Sequence, residues 1–156
     1  KNIIDLASLI NGYLVVSCSD EHFGNANNIL LPGKSKNMGN GWETRRRRGT
    51  GYDWVILKLG LSGYPTSFEI NTHYFKGNYP DSFSVQGICN NKKTSINSII
   101  KKSKKWQTII SKTKLKADSS QKIKMLKKFY KKYNYIKLNI YPDGGISRFR
   151  VYGKIK

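Results

Sequence analysis

At 156 residues, 38% hydrophobic and 12% aromatic, the chain is one domain's worth of polypeptide with enough apolar side chains for a real core, which excludes a disordered tract. Its 29 basic residues face nine acids for a formal net charge of +20, and sixteen Lys but a single acid, Asp118, fall between residues 92 and 137. That excess is Lys set among Asn and Ile, which reads as compositional drift ahead of a phosphate-binding surface, so a nucleic-acid partner is not expected.

The first strand expected is Tyr13-Leu14-Val15-Val16-Ser17-Cys18, β-branched in the middle and bounded by Asn11-Gly12 and Ser19-Asp20. Before it, Asn2-Ile3-Ile4-Asp5-Leu6 has no leader character, and no apolar run approaches the roughly 20 residues of a membrane helix. After it comes a polar loop, Ser19-Asp20-Glu21-His22-Phe23-Gly24, and then an apolar segment, Asn27 to Leu31, broken by Pro32-Gly33. Residues 37–48 combine Gly39-Asn40-Gly41, which suit positive φ, with the large apolar Trp42, then Glu43 beside four guanidinium groups at Arg45 to Arg48. If extended, this stretch puts Glu43, Arg45 and Arg47 on one face, a pattern that suits a small carboxylate because guanidinium binds carboxylate bidentately.

Tyr52 to Leu59 is the strongest strand, apolar on both faces and therefore expected between two layers. Gly60 to Gly63 reads as a turn. Ser67 to Phe75 alternates, with Phe68, Ile70, Thr72 and Tyr74 on one side and Glu69, Asn71 and His73 on the other, and ends in the corner Lys76-Gly77-Asn78-Tyr79-Pro80. Phe83 to Cys89 is another strand. Residues 90–105 read as a Lys-rich variable insertion or long loop, and Trp106 to Ile110 resumes a strand. Residues 119–133 fit a helix or a strand equally. Tyr135 to Tyr141 and Ile146 to Tyr152 flank Pro142-Asp143-Gly144-Gly145 and predict a hairpin. Some eight evenly punctuated strands make the fold class all-β, a sandwich or jelly roll, in a single domain spanning 1–156.

The two cysteines, Cys18 and Cys89, lie in strand-like runs and are expected as buried free thiols, which fits a reducing, cytoplasmic setting. Their number excludes a cysteine-type metal site, and two His are too few for a His-only zinc site. Gly-rich phosphate loops and nucleophile elbows are absent from the sequence.

The motifs Ser19-Asp20-Glu21-His22-Phe23-Gly24, Gly41-Trp42-Glu43-Thr44 with Arg46 and Arg47, Asp53-Trp54, Phe75-Lys76-Gly77-Asn78, Lys137 to Gly145, and Arg148-Phe149-Arg150-Val151-Tyr152-Gly153 together resemble the allantoicase family, over nearly the whole chain. The resemblance implies a jelly-roll sandwich similar to galactose-binding modules. It also implies hydrolysis of allantoate to ureidoglycolate and urea in purine breakdown. Allantoicases carry two such repeats; this chain holds one, closer to the second. On that reading the catalytic candidates are Glu43, Glu21 and Asp20. Substrate-binding candidates are Arg45, Arg47, His22, Tyr74, Lys76, Asn78 and Asp143. No metal ligand set is assigned and no cofactor is identified. The expected partners are allantoate and either a second copy or a second repeat. Asn40 and Asn71 stand where the family has Asp, and a family His is missing near Ser120 and Gln121. These departures carry the alternative reading, a non-catalytic binding or assembly module.

Overall fold

The strand expected at 52–59 and the strand expected at 67–75 are one element. A computed structural model describes residues 3–8, 12 and 14–155. In chain order the strands are β1 (Ile4–Asp5), β2 (Leu14–Cys18), β3 (Trp42–Glu43), β4 (Asp53–Asn71) and β5 (Ser82–Ile88). The helix α1 (Ile96–Ser103) follows, then β6 (Gln107–Lys114), β7 (Ser120–Lys124), β8 (Tyr133–Tyr141), β9 (Gly145–Ile146) and β10 (Arg148–Lys154). Tyr13, placed in the first strand by the sequence, lies outside the described residues.

No turn forms at Gly60 to Gly63. The strand runs through, and the register against β8 shifts between Lys58 and Gly63, so β4 changes partners without breaking. Its first half lies between β2 and β8, and its second half between β10 and β7. Beyond β8 come β5 and then β6; beyond β10 comes β1. All these pairs are antiparallel. The result is the expected all-β jelly-roll sandwich. Its core holds alternate residues of both halves of β4, Val55, Leu57 and Leu59 with Phe68 and Ile70, against Ile136, Leu138 and Ile140 of β8 and Phe149 and Val151 of β10. The other face of the first half is buried too: Ile56, with Trp54 beside it, packs against Tyr135, Trp106 and Ile99 of α1. That explains the two-sided apolar pattern read from the sequence.

Three expectations are corrected and one open alternative is resolved. First, residues 90–105 are not all loop: Ser95 caps Ser98 N–H at 3.2 Å, and Ile99, with Ile100 beside it, docks α1 on the sheet. Second, 119–133 resolves as a strand through Lys124 followed by a single 3₁₀ turn at Lys127–Phe129. Third, β8 and β10 are not a hairpin. The Pro-Asp-Gly-Gly segment carries the chain from one sheet to the other, with β9 pairing β3 between them. Fourth, Cys89 is exposed and Cys18 half-buried; both are free thiols.

A candidate active site at one end of the sandwich

Because β4 runs through the bend, both of its ends finish at the same end of the molecule, where the loops 19–24, 37–48, 72–79 and 142–145 meet. Trp42 explains why the central loop is fixed. Its ring is fully buried, and its indole N–H donates to the Asp20 carbonyl at 2.7 Å, tying the first loop to the second. Gly41 precedes it in ordinary extended backbone, φ −120°, so positive φ is not its reason. A Cβ there would sit 2.7 Å from the Ile146 carbonyl; the glycine is required by close approach to β9.

The strand ends at Glu43. Thr44 turns inward, its N–H donating to the Gly144 carbonyl at 3.0 Å and its hydroxyl accepting from Gly144 N–H at 3.0 Å. The alternation expected through residues 43–48 is therefore broken, and Glu43, Arg45 and Arg47 do not share a face. They go to three places. Glu43 accepts a hydrogen bond from Asn78 Nδ2 at 2.6 Å. Arg45 is exposed; its backbone N–H donates to Asp20 Oδ2 at 2.7 Å, and its guanidinium lies 3.1 Å from His22 Nδ1. Arg47 turns in: its guanidinium pairs with the buried Asp53 at 2.7 Å and donates to the Tyr52 carbonyl, while its backbone N–H donates to Asp143 Oδ2 at 2.7 Å.

An open hollow of about 560 Å³ lies against Ser19, Asp20, the run Arg45 to Arg48, and Asp53. Asp53 is neutralised by Arg47 and accepts a hydrogen bond from the Ser19 hydroxyl at 2.8 Å, so the hollow presents Arg45, Arg46 and Arg48 as its open cations. A small-molecule anion fits such a space. Glu43 and Asn78 form a separate pair outside its lining. Glu21 is spent on structure, accepting from Ala26 N–H at 3.0 Å at the start of the 3₁₀ turn Ala26–Leu30. Burial, then the Glu21 and Asp20 charges, push the Cys18 thiol up to about 11, which disfavours its thiolate. Tyr74 is exposed in left-handed backbone, φ 72°, held by Asp118 Oδ1 accepting from its N–H at 2.8 Å. Lys76 is exposed and has no hydrogen-bond or ion-pair partner among the described residues. No cluster of three His, Cys, Asp or Glu with metal-binding geometry occurs among the described residues.

The sequence reading missed Arg148. This side chain is 2% exposed and donates to the carbonyls of Asn28, Gly33 and Asn40 at 2.7–3.0 Å and to Asn40 Oδ1 at 2.6 Å. It therefore holds the whole 28–41 segment against β10. Burial, and then the neighbouring Arg150, push its guanidinium down from the ordinary range. Asn40 and Asn71, the two Asn singled out from the sequence, both lie against Arg148. Asn40 accepts from Arg148; Asn71 lies opposite Arg148 on one side and opposite Ser120 on the other. Asn71 Oδ1 is buried without a partner. The available signal was Arg148 at the head of the closing motif Arg148-Phe149-Arg150-Val151, where Arg and apolar residues alternate.

A family model described as the allantoicase repeat matches residues 4–156. The chain belongs to the allantoicase family. It is 42% identical over 153 residues to a probable allantoicase of Pseudomonas fluorescens, covering 98% of this chain and 46% of that one. The allantoicase structure from Saccharomyces cerevisiae superposes with a TM-score of 0.83 at 34% identity, covering 97% of this chain and 43% of that one. Chitosan-binding module 1 of a chitosanase/glucanase from Paenibacillus sp. IK-5 superposes at 0.67 with 18% identity over 97% of this chain and all of the module, a likeness of fold alone. The jelly roll is thus of the galactose-binding-like type, and this allantoicase-family chain spans less than half the length of the curated relatives it matches.

Proposed function

We propose that the chain is the substrate-handling half of an allantoicase-type hydrolase, converting allantoate and water to ureidoglycolate and urea. The observation that carries this reading is the family match over residues 4–156. The arginine-walled hollow at the loop end supports it. The reaction breaks one C–N bond at the central carbon: the leaving nitrogen takes a proton and departs as urea, and the water oxygen stays on carbon. That chemistry needs a cationic grip on the substrate carboxylate, a proton donor and a base.

In the proposed assignment Arg45 grips the carboxylate, since its guanidinium is open to the hollow while that of Arg47 is occupied by Asp53. Asp20 positions Arg45 through its backbone and, on the hollow's wall, is the base for water. His22 steadies the Arg45 guanidinium. Glu43, held by Asn78 beside the hollow and outside its lining, is the acid or base candidate of the loop end. Arg47, Asp143 and Asp53 brace the arginine run, and Glu21 is a loop cap. Tyr74 and Lys76 form the outer corner. No membrane-spanning helix occurs among the described residues, and the free thiols fit a cytoplasmic setting.

The names of the relatives support the hydrolase over the non-catalytic module. The test is urea release from allantoate by the purified chain, alone and mixed with the other repeat of a relative. Turnover that Glu43→Gln removes is expected. Allantoate binding by calorimetry with no turnover in either arrangement favours the non-catalytic module.

A further inference from the structure

The opposite end of the same sheet carries two adjoining hollows that share Asn90 and Tyr135 as a common wall. The smaller, about 210 Å³, is apolar: Ile88, Ile99, Trp106 and Tyr135 line it, and Lys102 and Lys105 stand at its rim. The larger, about 410 Å³, is walled by Lys58, Lys92 and Lys93. Together they fall in the roughly 300–1,000 Å³ range of small-molecule sites. The wall between them is built. Asn90 N–H donates to Asn134 Oδ1 at 2.8 Å, and Asn134 Nδ2 donates back to the Asn90 carbonyl at 2.7 Å.

Lys58, Lys92, Lys93, Lys102 and Lys105 gather around these two hollows. Lys58 lies over the Tyr135 ring at 5.9 Å, as Lys112, Lys122, Lys128 and Lys131 lie over the rings of Tyr141, Tyr152, Phe129 and Tyr133, while Lys114 pairs with Asp81. The five have no ion-pair partner among the described residues, and no acid lines either hollow. Ammonium groups gathered without a counter-charge repel one another, and an anion bound among them relieves that repulsion. The apolar hollow alongside, floored by the tilted Trp106 and Tyr135 rings at 5.8 Å, favours a flat apolar group. Along β4 the step from Asp53, beside Ile140, to Lys58, beside Tyr135, spans roughly 17 Å at about 3.3 Å per residue, so this place is separate from the arginine hollow.

We propose that this end binds a small molecule joining a planar apolar ring to phosphates, of the nucleoside phosphate class, with the ring in the smaller hollow and the phosphates among Lys58, Lys92 and Lys93. The test is calorimetric titration of the chain at low salt with ATP, adenosine and inorganic triphosphate. ATP is expected to bind at least tenfold more tightly than either fragment. Replacing Lys58, Lys92 and Lys93 together by Ser weakens ATP binding at least tenfold, with the fold unchanged by circular dichroism. Replacing Lys112, Lys122 and Lys128 together by Ser removes the same charge elsewhere and leaves ATP affinity within twofold. Equal loss in both triple variants overturns the proposal in favour of the general positive field. Equal binding of ATP and inorganic triphosphate removes the ring from it, and no ATP binding overturns it outright.

Discussion

Arg47 has its guanidinium committed to Asp53, which is 1% exposed and, among the described residues, has Ser19 as its second side-chain partner. Arg47→Ala strands that carboxylate, and a loss of about 1–3 kcal/mol is expected in urea denaturation, discounted from the cost of a fully buried pair because the arginine side chain is one-third exposed. Arg45→Ala does the reverse: stability stays within about 0.5 kcal/mol, and on the proposed reading allantoate affinity falls about ten- to a hundredfold, the loss of a charge-assisted contact worth about 1.5–3 kcal/mol. Lys137 gives a pH-dependent case. It is 1% exposed, its ammonium donating to the Ser103 hydroxyl at 2.9 Å beside the Trp54 ring, and burial and then Lys104 push it down to about 8. Its folded value lies below its unfolded one, so the unfolded chain holds the extra proton between about pH 8 and 10.5, and this residue's destabilisation is full below that window and relieved as pH rises through it. Lys137→Met is expected to raise stability at pH 7 by about 1–3 kcal/mol and to flatten that rise between pH 8 and 10. Some proximity was legible at this scale: Asp20 and His22 contact Arg45, and Asp143 contacts Arg47. What each carboxylate and guanidinium is spent on was not legible, because Thr44 breaks the alternation through a contact with Gly144, a hundred residues away.

At the level of elements, the misreadings share one cause: local signals were right and their partners were distant. Gly60 and Gly63 carry turn chemistry, yet the strand continues because β8 on one side of the bend and β10 on the other supply backbone partners. The Pro-Asp-Gly-Gly segment is a genuine corner, but the flanking strands find β4 rather than each other. The α1 signal was present in Ser95 followed by Ile96, Ile99 and Ile100 at helical spacing, masked by the lysines around it. The short β3–β9 pair depends on Gly145, whose Cα faces the Phe75 ring so closely that a Cβ would overlap it. Gly145→Ala is therefore expected to cost about 1–3 kcal/mol by denaturation and, by displacing β9 from β3, to lower allantoate affinity as well. Asn40→Asp tests the Arg148 clamp. A carboxylate at 2.6 Å from that buried guanidinium should raise stability by about 1 kcal/mol at neutral pH and lose the gain as the new carboxyl protonates in acid.

For the whole molecule, the sandwich was legible from strand count and punctuation, while the packing of a second half is outside what one repeat can specify. Because the curated relatives are about twice as long, we expect this chain to self-associate or to bind its relatives' other repeat. Light scattering at moderate salt checks this, and a monomer that neither dimerises nor captures the added repeat contradicts it. One consequence of β4 concerns cooperativity. Its nineteen residues supply ladder partners to four strands, two in each half, so neither sheet can come apart while the other stays whole. The domain should therefore lose structure in a single calorimetric transition, and the amide protons of residues 53–59 and 67–71 should exchange with deuterium at one common, slowest rate, set by global opening.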